Sequence, residues 1–312
     1  MKKLVFLSVI VLIITGCQMT EQKQVAITID DVPNIRKYRA ESEIAFLNYL
    51  SDNQLPAAIF INEGLLFNDT SVDTNSHYLK RWIDDDHITI GNHTYSHPNY
   101  SIIGLEAFTN EIVKGMKVSA EIAAESGKTI DYFRFPYNDL GNDSLQQTAI
   151  KLVLDSLRLI STPFTVESSD WMFNAIYEYY LDTDSLDKAK EIGQAYIAAT
   201  LRHFDWMDSV TVAQYGRPIK HIYLCHDNSI NVDYLPQIID ALKAADYKFI
   251  SLDDAMSDEV YQQNSHYYNS YGISWVYRWM GDEQERGQLM RQAPDVNDYF
   301  EMYKRITSET DY

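Results

Sequence analysis

The sequence is short of cysteine, of positive charge and of long apolar runs, and each shortage excludes a class of protein. Only Cys17 and Cys225 occur in 312 residues, too few for a disulfide scaffold; if Cys17 is modified, Cys225 has no partner left. Lysine and arginine number 26 against 45 acidic residues, a formal charge of −19 that deepens by two if Lys2 and Lys3 leave with a leader. Such a surface repels polyanions, so nucleic acid and acidic glycans are poor partners. There is no internal repeat, no low-complexity linker and no motif that calls for a protein partner. With 46% hydrophobic residues the chain is of the globular class, long enough for a large core and, as an α/β barrel, for one domain rather than two.

What is present starts with "MKKLVFLSVIVLIITGC": two lysines, an apolar run short for a membrane span, then Gly16 and Cys17. That pattern predicts an export signal over residues 1–17, to be excluded from the fold. Its ending, "ITGC", resembles the lipobox of bacterial lipoproteins. The resemblance implies lipidation of Cys17, a membrane anchor and a place in the cell envelope, periplasmic or on the outer surface; a plain secretory signal cut nearby is the competing reading.

From residue 24 on, strands alternate with helices. "QVAITID", "AAIFIN", "ITIGNH", "YFRFP", "LISTPF", "TVES", "IKHIYLCHD" and "KFISL" read as strands, and Ile44, Leu47 and Leu50 mark the first helix face. Leu105, Phe108, Ile112, Met116, Ser119 and Ala123 predict one long helix ended by Gly127, and another helix is expected over 143–157. This alternation argues parallel β/α units, and the expected fold is α/β, a distorted (β/α) barrel with fewer than eight regular repeats. The barrel spans 24–256 with a helical insertion at about 172–218. Residues 257–312 form an aromatic extension expected to pack on it.

In β/α barrels the reactive groups gather at the carboxyl ends of strands. Here those ends carry Asp30-Asp31, then "HTYSH" with His93 and His97, then Arg134-Phe135-Pro136-Tyr137, then Ser169-Asp170-Trp171, and last Leu224-Cys225-His226-Asp227. Two histidines four apart also decorate ordinary turns, so the pair decides nothing alone; five such groups in phase do. "TIDD", "HTYSH", "RFPY", "SSDW" and "LCHD", in this order over roughly 200 residues, resemble the motifs of the polysaccharide deacetylases of carbohydrate esterase family 4, which share the NodB homology domain.

The resemblance implies a divalent metal, most often zinc, on Asp31, His93 and His97, a set that leaves positions open for water and substrate. It implies Asp30 as general base, Arg134 pairing with Asp30, Asp170 holding Arg134, and His226 as general acid. The Tyr137 backbone N–H would stabilise the oxyanion, and Leu224 and Trp171 would receive the acetyl methyl. Blander readings remain for each: a turn for the aspartates, a structural ion pair for Arg134 and Asp170, a core histidine for His226. Cys225 reads as packing, and His77, His87, His203, His221 and His266 as surface or core. Val32 and Asn138 stand where the family usually has glycine, and Glu167 stands in place of an aspartate. Trp275, Tyr277 and Trp279 are aromatic enough to stack on sugars, though core packing accounts for them better.

The activity so implied is removal of N-acetyl groups from an acetylated amino-sugar glycan of chitin-oligosaccharide or peptidoglycan type. The rivals are an O-acetyl esterase acting on acetylated xylan, and a glycan-binding lipoprotein without turnover.

Overall fold

β1 (Lys23–Val32) is buried on both faces, as a strand flanked on both sides in a parallel sheet must be. In the computed structural model, which describes residues 22–34, 40–67 and 72–310, the chain continues through α1 (Ala40–Asp52), β2 (Ala57–Ile61), α2 (Val72–Asp84), β3 (Ile88–Asn92), α3 (Tyr100–Lys114), α4 (Lys117–Glu125) and β4 (Tyr132–Phe133). Then come α5 (Ser144–Leu157), β5 (Ile160–Ser161), β6 (Val166–Glu167), α6 (Asp170–Asp182), α7 (Leu186–Tyr215), β7 (Lys220–His226), α8 (Ser229–Ala244) and β8 (Tyr247–Phe249). The tail adds α9 (Leu252–Met256), α10 (Trp275–Arg278), α11 (Glu283–Gln292) and α12 (Asn297–Thr310). The expected export signal and Cys17 lie outside the described residues.

The eight strands form one sheet in the order β5-β4-β3-β2-β1-β7-β6, with β8 paired to the first residues of β1. Every pairing is parallel, so all carboxyl ends lie at one end. This is the distorted (β/α) barrel expected. Period-two alternation along β1 divides the packing: Val25, Ile27 and Ile29 belong to the large cluster shared with the helices. Ala26, between them, belongs with Phe60, Tyr132 and Ile222 to a smaller cluster that Leu252 and Ala255 of α9 close.

Three expectations are corrected. The single helix through 105–123 is two helices, because α3 ends against the loop after β3: a Cβ on Gly115 would lie 2.5 Å from the Thr94 carbonyl carbon. Leu105, placed on its inner face, is exposed. Gly127 does follow the second helix, in the left-handed region at φ 69. The segment 172–218 is no add-on. It supplies α6 and the 30-residue α7 that cross from β6 to its parallel neighbour β7, a connection that parallel pairing requires, and Tyr196, Ala199 and Phe204 of α7 are core residues.

No pairing joins β5 to β6, and the tail lies along that gap. Trp275 N donates to Phe164 O at 2.9 Å and Ser274 Oγ to Thr165 O at 2.7 Å. Farther on, α12 packs against α6 through Tyr299 on Phe173 and Tyr303 on Trp171. Where the tail begins, Asp258 accepts from Arg217 Nη1 at 2.9 Å and from the Lys220 and Val260 N–H groups. These bonds outweigh burial and hold its carboxyl below the usual carboxylate range. A depressed carboxyl stabilises the fold above the unfolded value, and that contribution is lost as pH falls through the folded value. Asp258→Asn is therefore expected to cost about 1–3 kcal/mol at pH 7, with a gap to the parent that narrows below pH ~4 in urea titrations at the two pH values.

Candidate active site

A regular strand sends adjacent side chains to opposite faces, so Asp30 and Asp31 should diverge. They converge because β1 is bulged there: its register with β2 slips between Ile29 and Val32, and Asp31 has φ 62. One nitrogen, His93 Nε2, lies 3.8 Å from Asp30 Oδ2 and 3.8 Å from Asp31 Oδ1. Non-glycine residues with positive φ recur around the site, at Thr94, His97, Tyr137, Asn138 and Ser169. Strain of this kind persists only where the surroundings enforce it.

His93 follows β3 directly, and His97 sits one tight turn later with its N–H on Thr94 Oγ1 at 3.1 Å. His93 Nδ1 donates to the Arg134 carbonyl at 2.7 Å, which fixes the tautomer and leaves Nε2 as a lone pair facing the carboxylates. His97 Nε2 lies 3.7 Å from Asp31 Oδ1. These separations are too long for hydrogen bonds. They are close to the roughly 3.4 Å between donors that share a tetrahedral cation at about 2.1 Å. All three ligand atoms lie within 4.8 Å of one another. Burial, helped by the charge of His97, pushes His93 down to about 3, and burial lowers His97 too. Both rings are therefore neutral at ordinary pH, the form that binds a metal. Burial alone would raise Asp31, but the imidazoles beside it hold it lower. The residues fit a divalent cation.

Beside that triad stands Asp30, 2% exposed. Burial pushes its carboxyl up to about 6, opposed by Arg134 and His226. Arg134 Nη1 is 3.5 Å from Asp30 Oδ2, and Nη2 donates to Thr28 Oγ1 at 3.0 Å and to Pro163 O at 3.3 Å. Asp30 Oδ1 is buried without a protein partner. Next to Asp30 is His226, paired in register with it across β1 and β7.

The expected partner of Asp170 is corrected: it holds His226, not Arg134. Its carboxylate accepts from His226 Nδ1 and from the His226 N–H, both at 2.7 Å, and from the side chains of Asn228 and Asn231. The reason is topological. Asp170 opens α6 after β6, the neighbour of β7, whereas Arg134 comes from β4 across the mouth. Burial disfavours the charged ring of His226, but Asp170, with Asp31 and Asp30 beyond it, pushes it up to about 10. Glu167 turns its carboxylate onto the Ser169 N–H rather than onto Arg134; burial, with the charge of Asp170 behind it, raises it to about 7.

Two cavities of about 610 Å³ each meet at the triad, sharing Asp31, Asn34, His97, Asn174 and Asn228. One is polar, with Asn62, Ser96 and Glu178. The other holds Asp30, His93, His226, Leu224, Trp171 and Tyr137, and the tail residues Tyr271 and Tyr303 complete its wall. Tyr137 lies edge-on to His97 at 4.6 Å between ring centroids. Sequence reasoning missed Asn34, Asn174, Asn228, Tyr271 and Tyr303, which no spacing rule ties to the motifs. Tyr277 and Trp279 are buried, and Trp275 packs on Arg278. Cys225 is buried on the Thr28 carbonyl. His77, His87 and His266 are exposed, and His221 is a core residue on Asp208.

The sequence model of the family described as polysaccharide deacetylase matches residues 18–154. A peptidoglycan-N-acetylglucosamine deacetylase of Bacillus cereus is 24% identical over 148 residues, 47% of this chain and 46% of that protein. The chain thus spans about half the length of this curated relative. Among solved structures, a peptidoglycan N-acetylglucosamine deacetylase superposes with a TM-score of 0.53 at 21% identity, covering 75% of this chain and 88% of that one. A polysaccharide deacetylase from Bacillus cereus gives 0.50 at 22%, covering 74% and 92%. A wild-type pseudoenzyme of carbohydrate esterase family 4 from Bacillus anthracis gives 0.50 at 17%, covering 76% and 66%. At these identities the superpositions show a common fold.

The geometry separates ligands from neighbours. Asp31→Asn and His97→Ala are each expected to reduce bound metal from about one ion per chain to near none. Asp30→Asn, with its carboxylate outside the triad, should retain the ion. Elemental analysis after zinc loading and desalting checks both.

Proposed function

We propose, from the match of residues 18–154 to the polysaccharide deacetylase family and from the site built around Asp31, His93 and His97, that the chain hydrolyses N-acetyl groups of an amino-sugar glycan. Chitin-type or peptidoglycan-type sugars are the substrate class, and the products are acetate and a free amine. The observation that carries this reading is the placing of a buried carboxylate, Asp30, and a carboxylate-held imidazole, His226, on neighbouring strands beside one metal-ligand triad.

A divalent cation held there, zinc in this reading, supplies Lewis-acid polarisation of the acetyl carbonyl and makes a nearby water acidic enough to lose its proton. Asp30 takes that proton. With its value near 6 it is a carboxylate at neutral pH, and Arg134 holds it in that state and in place. The backbone N–H of Tyr137, set at φ 56 by the loop after β4, would stabilise the oxyanion. His226 then protonates the departing nitrogen as the C–N bond breaks. Its Nδ1 is tied to Asp170, so Nε2 carries the proton that is given up, and its value near 10 keeps it an acid throughout the neutral range. Leu224 and Trp171 border the acetyl methyl.

The test is acetate release from N-acetylchitooligosaccharides and from acetylated xylan, before chelation, after chelation and after zinc is restored. Acetate from the amino sugar that vanishes with chelator and returns with zinc supports the reading. Acetate from xylan alone makes the chain an O-acetyl esterase, and metal binding without acetate makes it a glycan-binding relative.

An oxygen leaving group needs less acid help than an amine. His226→Ala is therefore expected to lose about 10²–10⁴-fold on the amide and much less on an activated aryl acetate; equal losses on both would remove His226 from this role. We further propose that the mature chain is anchored in the cell envelope by lipid on Cys17, a reading supported by "LIITGC" at residues 12–17. Cys17→Ala is expected to move the protein from the membrane to the soluble fraction in cell fractionation.

A further inference from the structure

The tail is rich in aromatic residues, and the fold uses most of them as core. Tyr267, Tyr277 and Trp279 are buried, and Trp206 Nε1 donates to the Tyr277 hydroxyl at 2.7 Å. Tyr271 is different. It is 61% exposed, and it lines the same cavity as Asp30, His93 and His226.

The backbone that carries it is nonetheless fixed. Gly272 N donates to the Tyr137 carbonyl at 2.9 Å, and Arg278 Nη2 to the Asn138 carbonyl at 2.9 Å. A Cβ on Gly272 would lie 2.0 Å from that of Asn138, so the chain comes as close to this loop as a side-chain-free residue allows. Arg278, itself fully buried, lies over the rings of Tyr267 and Trp275, and Tyr271 packs edge-on to Tyr267 at 6.4 Å. A flexible loop would present an exposed ring at a cost in ordering; here that cost is met by the fold before any ligand arrives. The cavity's other well-exposed aromatics are Tyr137, 53% exposed, and Trp171, 45% exposed and braced by Tyr303, whereas Phe164 is buried.

We propose that Tyr271 is the stacking platform of a glycan subsite next to the reacting N-acetyl group, which makes the chain select oligosaccharides over single sugars. The inference rests on the glycan reading above and goes beyond it, since Tyr271 lies outside the segment that matches the family and in a tail where no motif was found. A pyranose presents an apolar face of C–H groups with hydroxyls at its rim, and a tyrosine matches it with a flat apolar ring and a polar tip. The subsite is built from the tail, and it binds the ring that neighbours the one losing acetate.

The full chain, zinc-loaded, is titrated with N-acetylchitotetraose and with N-acetylglucosamine. Kd is read from tryptophan fluorescence and acetate is measured in the same samples. The parent should bind the tetrasaccharide at least about ten-fold more tightly than the monosaccharide. Tyr271→Ala should weaken the tetrasaccharide about five- to ten-fold, leave the monosaccharide and the melting temperature unchanged, and be rescued by Tyr271→Phe. Tetrasaccharide affinity unchanged in Tyr271→Ala, or a parent that binds it no better than the monosaccharide, overturns the subsite. Absence of acetate with this binding pattern intact overturns the deacetylase reading and leaves the subsite standing.

Discussion

The bulge in β1 at Asp31 is the local distortion on which the site depends. Without it, strand alternation would point one of two adjacent aspartates into the barrel mouth and the other toward the helices. With it, His93 Nε2 is equidistant from both carboxylates. The same chain position then divides into two chemistries by environment alone. Asp31 is partly exposed, and the imidazoles around it outweigh its burial and favour its charge; Asp30 is buried, and burial makes it willing to take a proton. The bulge costs a positive φ at a non-glycine residue, and the fold offsets this with the buried strand on either side of it.

Parallel pairing does the rest of the assembly. Because β1 and β7 run in register from Gln24 opposite Lys220 to Asp30 opposite His226, the proposed base and the proposed acid stand side by side although 196 positions separate them in sequence. Each is braced from a different direction: Asp30 by Arg134 from β4, His226 by Asp170 from the start of α6. Two separate braces hold the two groups, whose charges also act on each other: His226 lowers the Asp30 carboxyl and Asp30 raises His226.

Much of this was legible in the sequence. Strand and helix periodicity gave the barrel, and the phase of the motifs relative to the strands gave the end at which the site lies, because both depend on short-range regularities. What could not be read depends on contacts between distant segments. The break between α3 and α4 follows from the Thr94 carbonyl lying against Gly115, which no helix propensity records. The partner of Asp170 follows from which strand neighbours β7. The segment at 172–218 looked like an insertion because it lacks strands, yet a parallel crossover needs none. The aromatic tail was the hardest to read, since Trp279 and Tyr271 differ in no local feature and only tertiary packing buries one and exposes the other.

The tail also answers a structural problem that the barrel creates. A sheet left open between β5 and β6 exposes backbone groups at its gap, and the tail meets them with Trp275 N on Phe164 O and Ser274 Oγ on Thr165 O. Sealing the gap there brings Gly272 and Arg278 onto the carbonyls of Tyr137 and Asn138. The segment that closes the barrel is thus the one that sets the loop carrying Tyr137, and that loop faces His97. Stability of the open edge and placement of the loop that faces His97 therefore draw on the same few hydrogen bonds. A change that loosens the tail must act on both at once.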